Sequence, residues 1–307
     1  MSEIIPQTGM KRMIFTAVAA FLGSLGFLLT ASPVAAALTP AQLAGLDLGS
    51  DKNYAFIDLG ATTLGWNSGP IGGNVLFGLG LTAHLSGGNN GGLTNGGMLF
   101  KDSSANVSGS LQNPVTQVVV ANSVTQNAAT LAQDVSKFAS SLSPTQTFST
   151  INNTTTITGD GGLNVIDVAS IENAKLTLSG SANDVFVFNV SNQIHTNQAM
   201  TLSGGVLPTN ILFNLTGTGT VFQTSGGDLS FGTYLATDGG RFQFSNLNLD
   251  GQLINIGGDV QFVSGSEIPT FSPFTPVPEP SNFILLGVVA LAGAVMAWRR
   301  RQLGFFA

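Results

Sequence analysis

Three stretches of this chain follow one plan. Gly226-Gly-Asp-Leu-Ser-Phe231, Gly239-Gly-Arg-Phe-Gln-Phe244 and Gly257-Gly-Asp-Val-Gln-Phe262 each set a glycine pair and a charged residue ahead of an apolar-polar-apolar run. Alternation of that kind buries one side of a strand and exposes the other. A strand so short cannot bury its apolar side alone, so the copies must stack on one another. The same period of two runs through Lys175–Ser179, Asp184–Asn189, Met200–Leu202, Ile211–Leu215 and Thr220–Phe222, with Gly, Asn and Ser turns between them. The expected fold is therefore mainly β: an irregular β-solenoid (β-helix), irregular because the copies recur at unequal spacing. A β-sandwich is the alternative, since short strands between turns suit it as well.

One stretch breaks the pattern. Val115, Val118, Val119, Val124, Leu131, Val135, Phe138 and Leu142 fall near a helical stripe. Asn113 and Pro114 supply an N-cap and a first helical residue, and Pro144 ends the run. The expectation is one long helix packed along a sheet. Upstream, Tyr54–Leu59 and Ile71–Phe77 read as strands, 87–97 as a turn region, and Met98–Phe100 and Asn106–Ser108 as short rungs.

Charged residues make up only 8% of the chain, while 39 residues are glycine. The polar surface must then be built from amides and hydroxyls, which suits an exported β protein better than a cytoplasmic enzyme. Between Leu38 and Pro276 five basic residues (Lys52, Lys101, Lys137, Lys175, Arg241) face fourteen acidic ones. Such a body is a poor nucleic-acid binder, because phosphate must be met by Lys and Arg. The absence of cysteine removes disulfides, thiolate catalysis and thiolate-bound metal.

The two ends carry addresses. Lys11 and Arg12 precede an apolar run from Met13 to Leu29, then Pro33 and Val34-Ala-Ala-Ala37. This is the layout of a secretory leader, with cleavage after Ala36 or Ala37. At the other end, Pro278-Glu279-Pro280 precedes an uncharged run from Phe283 to Trp298 and then Arg299, Arg300 and Arg301. Sixteen helical residues span about 24 Å at about 1.5 Å each, near the hydrocarbon thickness once Trp298 and the arginines reach the interface. The arginine cluster favours the cytoplasmic side, which puts the body outside it. The layout is 1–37 signal peptide, 38–268 β-rich body, 269–282 Pro-rich linker, and 283–307 transmembrane helix with a basic tail.

That tail resembles the PEP-CTERM sorting signal of Gram-negative bacteria in its motif, apolar span and Arg299–Arg301 cluster. The resemblance implies export through the Sec machinery and recognition by an exosortase, a membrane transpeptidase-like enzyme. It further implies an inner-membrane stage, then the cell surface or matrix, in company with exopolysaccharide. The body resembles the choice-of-anchor A domain through Gly69–Val75, Thr130–Leu142, Asp184–Asn189, Ile211–Leu215 and Asp228–Asn255, of which Gly251-Gln-Leu-Ile254 is the most specific part. More distantly it is similar to the ice-binding adhesin fold, a β-solenoid with one helix alongside. Both relatives are binding or adhesion modules, and neither implies a catalytic residue or a cofactor.

The residues themselves point the same way. His84 and His195 have no partner at metal-ligand spacing, and no Ser-His-Asp set is identifiable. Asp228, Asp238, Asp250 and Asp259 each sit beside glycine, where a repeated carboxylate can ligate Ca²⁺. More simply, Asp suits turns by accepting local backbone amides, so no metal is expected. Thr154–Thr158 and Thr216–Thr220 offer hydroxyls for ice or polysaccharide, though no regular threonine ladder emerges from the linear sequence. The expected role is a non-catalytic surface or matrix protein. The alternatives are an ice- or solid-surface-binding protein and a secreted polysaccharide-active enzyme, for which Arg241 and Lys175 are the strand-associated cations.

Overall fold

The computed structural model describes residues 38–276 apart from 61, 68, 87–90, 111–114, 227 and 264. Its strands pair in parallel and wind into coils with three faces, here A, B and C. Parallel pairing excludes the sandwich, which needs antiparallel sheets. The longer strands turn corners: Leu163–Glu172 and Val185–Thr196 run from A to B, while Asp228–Ala236 and Leu247–Asn255 run from C to A.

The coils do not stack in chain order. The first coil, from Phe56–Asp58, lies in the middle of the stack, and later coils climb from it to Gln117–Val120 at one end. Helix α2 (Asn122–Ser141), which follows the short helix α1 (Pro40–Gly45), then carries the chain to the other end. From Gln146 the coils return toward the middle. The last of them closes on the first through Leu253, Ile254 and Asn255 paired with Phe56, Ile57 and Asp58. Val260–Val263 pairs likewise with Thr63–Trp66, and Ile268 with Ile71. We call this seam the joint.

Register builds the core. Ile166, Phe188, Phe213, Tyr234, Leu253, Phe56, Val75 and Leu99 form one unbroken interior column across the joint, all buried. Phe188, Phe213 and Tyr234 stack with centroids 4.6 and 4.5 Å apart. A second column, Ile151, Ile171, Ile194, Phe222, Phe242, Val260, Leu64 and Ala83, lines the inside of face B.

Face A is covered on its outer side by α2. The helix buries Thr125, Ala128, Ala132, Val135, Ser136 and Ala139, small residues that let its backbone come close to the sheet. Polar contacts fix its position. Ser136 Oγ donates to Asn214 Oδ1 at 2.6 Å, and Asn214 Nδ2 donates to the Ser136 carbonyl and to Ser140 Oγ at 3.1 and 2.9 Å. Asn189 Nδ2 donates to the Ala139 carbonyl at 3.0 Å.

Three expectations need correction. The helix starts at Asn122, because the β-branched run Gln117–Val120 is a strand paired with Leu99–Asp102. Asn113 and Pro114 lie outside the described residues. Ile71–Phe77 is two strands on different faces, Pro70–Ile71 and Val75–Phe77. The threefold repeat is in truth twofold. Phe242, Gln243 and Phe244 pair with Val260, Gln261 and Phe262 on face B. Leu229–Phe231 instead lies on face C with reversed parity, Leu229 being 38% exposed and Ser230 only 3%.

Packing continues beyond residue 268. Glu267–Thr270 is a strand, and Phe274 is buried in the cluster beneath α2. Among the described residues no helix is long and apolar enough to cross a membrane. The expected cleavage site at Ala36 and Ala37, the Pro278-Glu279-Pro280 motif, the apolar span and Arg299–Arg301 all lie outside the described residues.

Candidate functional site

Face B is the long sheet whose outer side carries no covering element among the described residues. Its strands pair rung to rung above the interior column, so their outward side chains stand in register. Glu172, His195, Gln223, Gln243, Gln261, Gly65, His84 and Ser108 form the central outward column. Successive rungs of paired strands lie about 4.7–4.9 Å apart. From Gln223 to Ser108 the column consists of amides, a glycine, an imidazole and a hydroxyl.

Neighbouring side chains brace the lattice. Gln193 Nε2 donates to Glu172 Oε1 at 2.7 Å, and His195 Nδ1 lies 3.9 Å from Glu172 Oε2. His84 Nδ1 and Ser108 Oγ are 2.9 Å apart, and Ser86 Oγ donates to Asn67 Oδ1 at 2.7 Å. Arg241 donates from Nη2 and Nε to Thr220 Oγ1 at 2.8 and 3.2 Å. Thus the two histidines do share a surface, and one has a carboxylate beside it. Sequence spacing hid this, since Glu172 and His195 meet only through strand register.

Face C carries a smaller array. Thr156, Thr177 and Thr201 pair rung to rung, as do Thr158, Ser179 and Ser203. Here is the threonine ladder that the linear sequence conceals, because its rungs come from three separated strands.

A cleft of about 370 Å³ opens near the C-terminal end of α2, lined by Ser140, Thr147, Phe148, Asp167, Asn189, Ser191 and Thr216 among others. Asp167 Oδ1 accepts from Asn189 Nδ2 at 3.1 Å.

Two of the aspartates named from the sequence accept hydrogen bonds within the fold. Asp259 Oδ1 accepts from the Thr63 amide at 3.0 Å, and Asp250 Oδ1 accepts from Ser272 Oγ at 2.6 Å. No group of three or more His, Cys, Asp or Glu residues able to hold a metal forms among the described residues. Turn carboxylates that the sequence reading passed over are better connected. Burial alone would raise Asp184, but the amides of Ser181 and Gly161, the Ser181 hydroxyl and Asn164 outweigh it and hold its carboxyl below the ordinary range.

The architecture is a parallel β-solenoid flanked by the long helix α2 and rejoined in mid-stack. Solved structures that the chain resembles are ice-binding proteins. The DUF3494 domain of ice-binding protein 1 from Shewanella frigidimarina shares 19% identity at a TM-score of 0.53, covering 75% of this chain and 97% of that one. An ice-binding protein from an Antarctic biological consortium shares 16% at 0.51, covering 79% and 95%. An ice-binding protein of an Arctic yeast shares 18% at 0.50, covering 76% and 97%. At these identities the likeness establishes a common fold. No protein-family model matches the chain, and no curated protein sequence matches it.

Proposed function

We propose that this chain binds ice, and that face B is the surface that meets it. The observation that carries the reading is the column from Gln223 to Ser108, paired rung to rung and uncovered among the described residues. Its repeat of about 4.7–4.9 Å is close to the oxygen repeat of hexagonal ice. Each amide or hydroxyl contributes one weak contact through water, and many rungs act together because the backbone beneath them is already rigid. The stretch from Gln223 to Ser108, without Lys or an acidic side chain in the column, also avoids the tightly held hydration shells of Lys and Glu. The ice-binding role of proteins with a similar fold adds support.

Thermal hysteresis and ice shaping by the folded protein test this reading. The unmodified chain is expected to shape ice, and Gln243→Lys with Gln261→Lys to abolish the effect. Thr177→Lys, on face C, should leave most of it. Loss on face C alone would place the surface wrongly, and no ice shaping by the unmodified chain would remove the reading.

A second reading is favoured by the cleft. Asp167 stands in it with hydroxyls from Ser140, Thr147, Ser191 and Thr216 around it and the Phe148 ring as an apolar wall. A carboxylate beside a ring suits one sugar unit of a polysaccharide, the partner implied by the sorting signal. Either role is non-catalytic. Either also keeps the exported address, with Sec and exosortase as processing partners and a matrix or cell-surface destination. Mass spectrometry of both mature termini in separated cell fractions tests that address, and a body found intact in the cytoplasm would contradict it.

A further inference from the structure

Two buried oxygens at the joint have no hydrogen-bond partner among the described residues: Oδ2 of Asp58 and Oδ1 of Asn255. Asp58 and Asn255 are register partners across the seam, and both are fully buried. Asn255 Nδ2 donates to Asp58 Oδ1 at 3.3 Å and also to the Gly258 carbonyl. That uses both donors of the amide. If Asp58 were ionised, its Oδ2 and Asn255 Oδ1 would be two acceptors with no donor to share. A single proton resolves both, because a carboxylic acid donates at one oxygen and accepts at the other, and a primary amide is its complement.

We infer that Asp58 is the neutral acid, donating from Oδ2 to Asn255 Oδ1, and that this acid–amide pair is a base-sensitive clasp between the two halves of the solenoid. The surroundings agree. The charged group acting on Asp58 is Asp259, a like charge. Lys101 lies two strands away and donates its Nζ to the Ala105 carbonyl. Asp51, in the preceding turn, acts on Tyr54, and its buried carboxyl oxygens have no hydrogen-bond partner among the described residues. Burial raises the Asp58 carboxyl well above its ordinary range, outweighing the Gly60 amide and Asn255. Burial likewise lifts Asp51 to about 7. Both folded values exceed the unfolded one. Their contribution to stability is therefore complete below the ordinary carboxylate range and is lost as pH rises through the raised values.

Thermal unfolding of the full chain between about pH 5 and about pH 9 tests the clasp, using Asp51→Asn alone and combined with Asp58→Asn. The single variant is expected to lose Tm as pH rises. The double variant should show a flat profile, because the amide introduced by Asp58→Asn can exchange the same two hydrogen bonds with Asn255 and has nothing to titrate. An equally steep fall in both variants would overturn the inference. Should the double variant not fold, the infrared spectrum of Asp51→Asn at neutral pH decides. The carbonyl stretch of a buried protonated carboxylic acid is expected, and its absence would equally overturn the clasp.

Discussion

Asp184 shows how a single side chain closes a coil corner. It is 2% exposed and accepts from the Ser181 and Gly161 amides, both at 2.7 Å, from Ser181 Oγ at 2.9 Å and from Asn164 Nδ2 at 3.1 Å. Replacement by alanine strands those donors in a buried corner and is expected to cost about 2–4 kcal/mol in urea unfolding. Its carboxyl is depressed in the fold, so its contribution is present above the ordinary value of 3.8 and fades as pH falls through the lower folded one. Asp184→Ala should therefore differ from the unmodified protein most at neutral pH and least in strong acid. At this scale the sequence was a partial guide. That aspartate beside glycine serves turns was readable from chemistry alone. Which aspartates become buried was not, because Asp58 meets Asn255 across 197 residues.

Among the elements, α2 is the strut on which the stack order depends. Its helical period was visible in the sequence, but its start was not. The valines before Asn122 suit a helical stripe and a strand equally, and pairing with Leu99–Asp102 decides for the strand. The buried side of the helix is mostly Ala and Ser, so hydrophobic burial alone holds it weakly and Asn214 fixes its place. Asn214→Ala removes the bonds to Ser136, Ser140 and Asn189 Oδ1, though Ser136 keeps Thr237 and Ser140 keeps the Ser136 carbonyl, and should cost about 1–3 kcal/mol in denaturant unfolding. A change below about 0.5 kcal/mol would show that the Asn214 amide is not what positions the helix. Close coil packing sets a second test. A Cβ on Gly251 would meet the Gly232 carbonyl oxygen at 1.9 Å. Gly251→Ala must push these coils apart, with an expected loss of about 1–3 kcal/mol or failure to fold. An unchanged midpoint would mean that the coils have room to spare.

For the whole molecule, alternation and glycine turns made the solenoid readable, and low charge made an amide and hydroxyl surface readable. The mid-stack joint was not, because nothing local marks Phe56–Asp58 as the partner of 253–255. Nor was the reversed parity of Leu229–Phe231, whose sequence copies face-B rungs while its position belongs to face C. Coil lengths vary, so register assembles faces that linear spacing cannot foretell. The central claim is that one such face, B, adsorbs to ice. It is tested most directly by growing an ice hemisphere slowly in a dilute solution of the fluorescently labelled full chain and measuring the fraction of protein taken into the ice. The unmodified protein is expected to be incorporated, with Gln261→Lys left in the liquid. Exclusion of both proteins, or equal incorporation of both, would contradict the account.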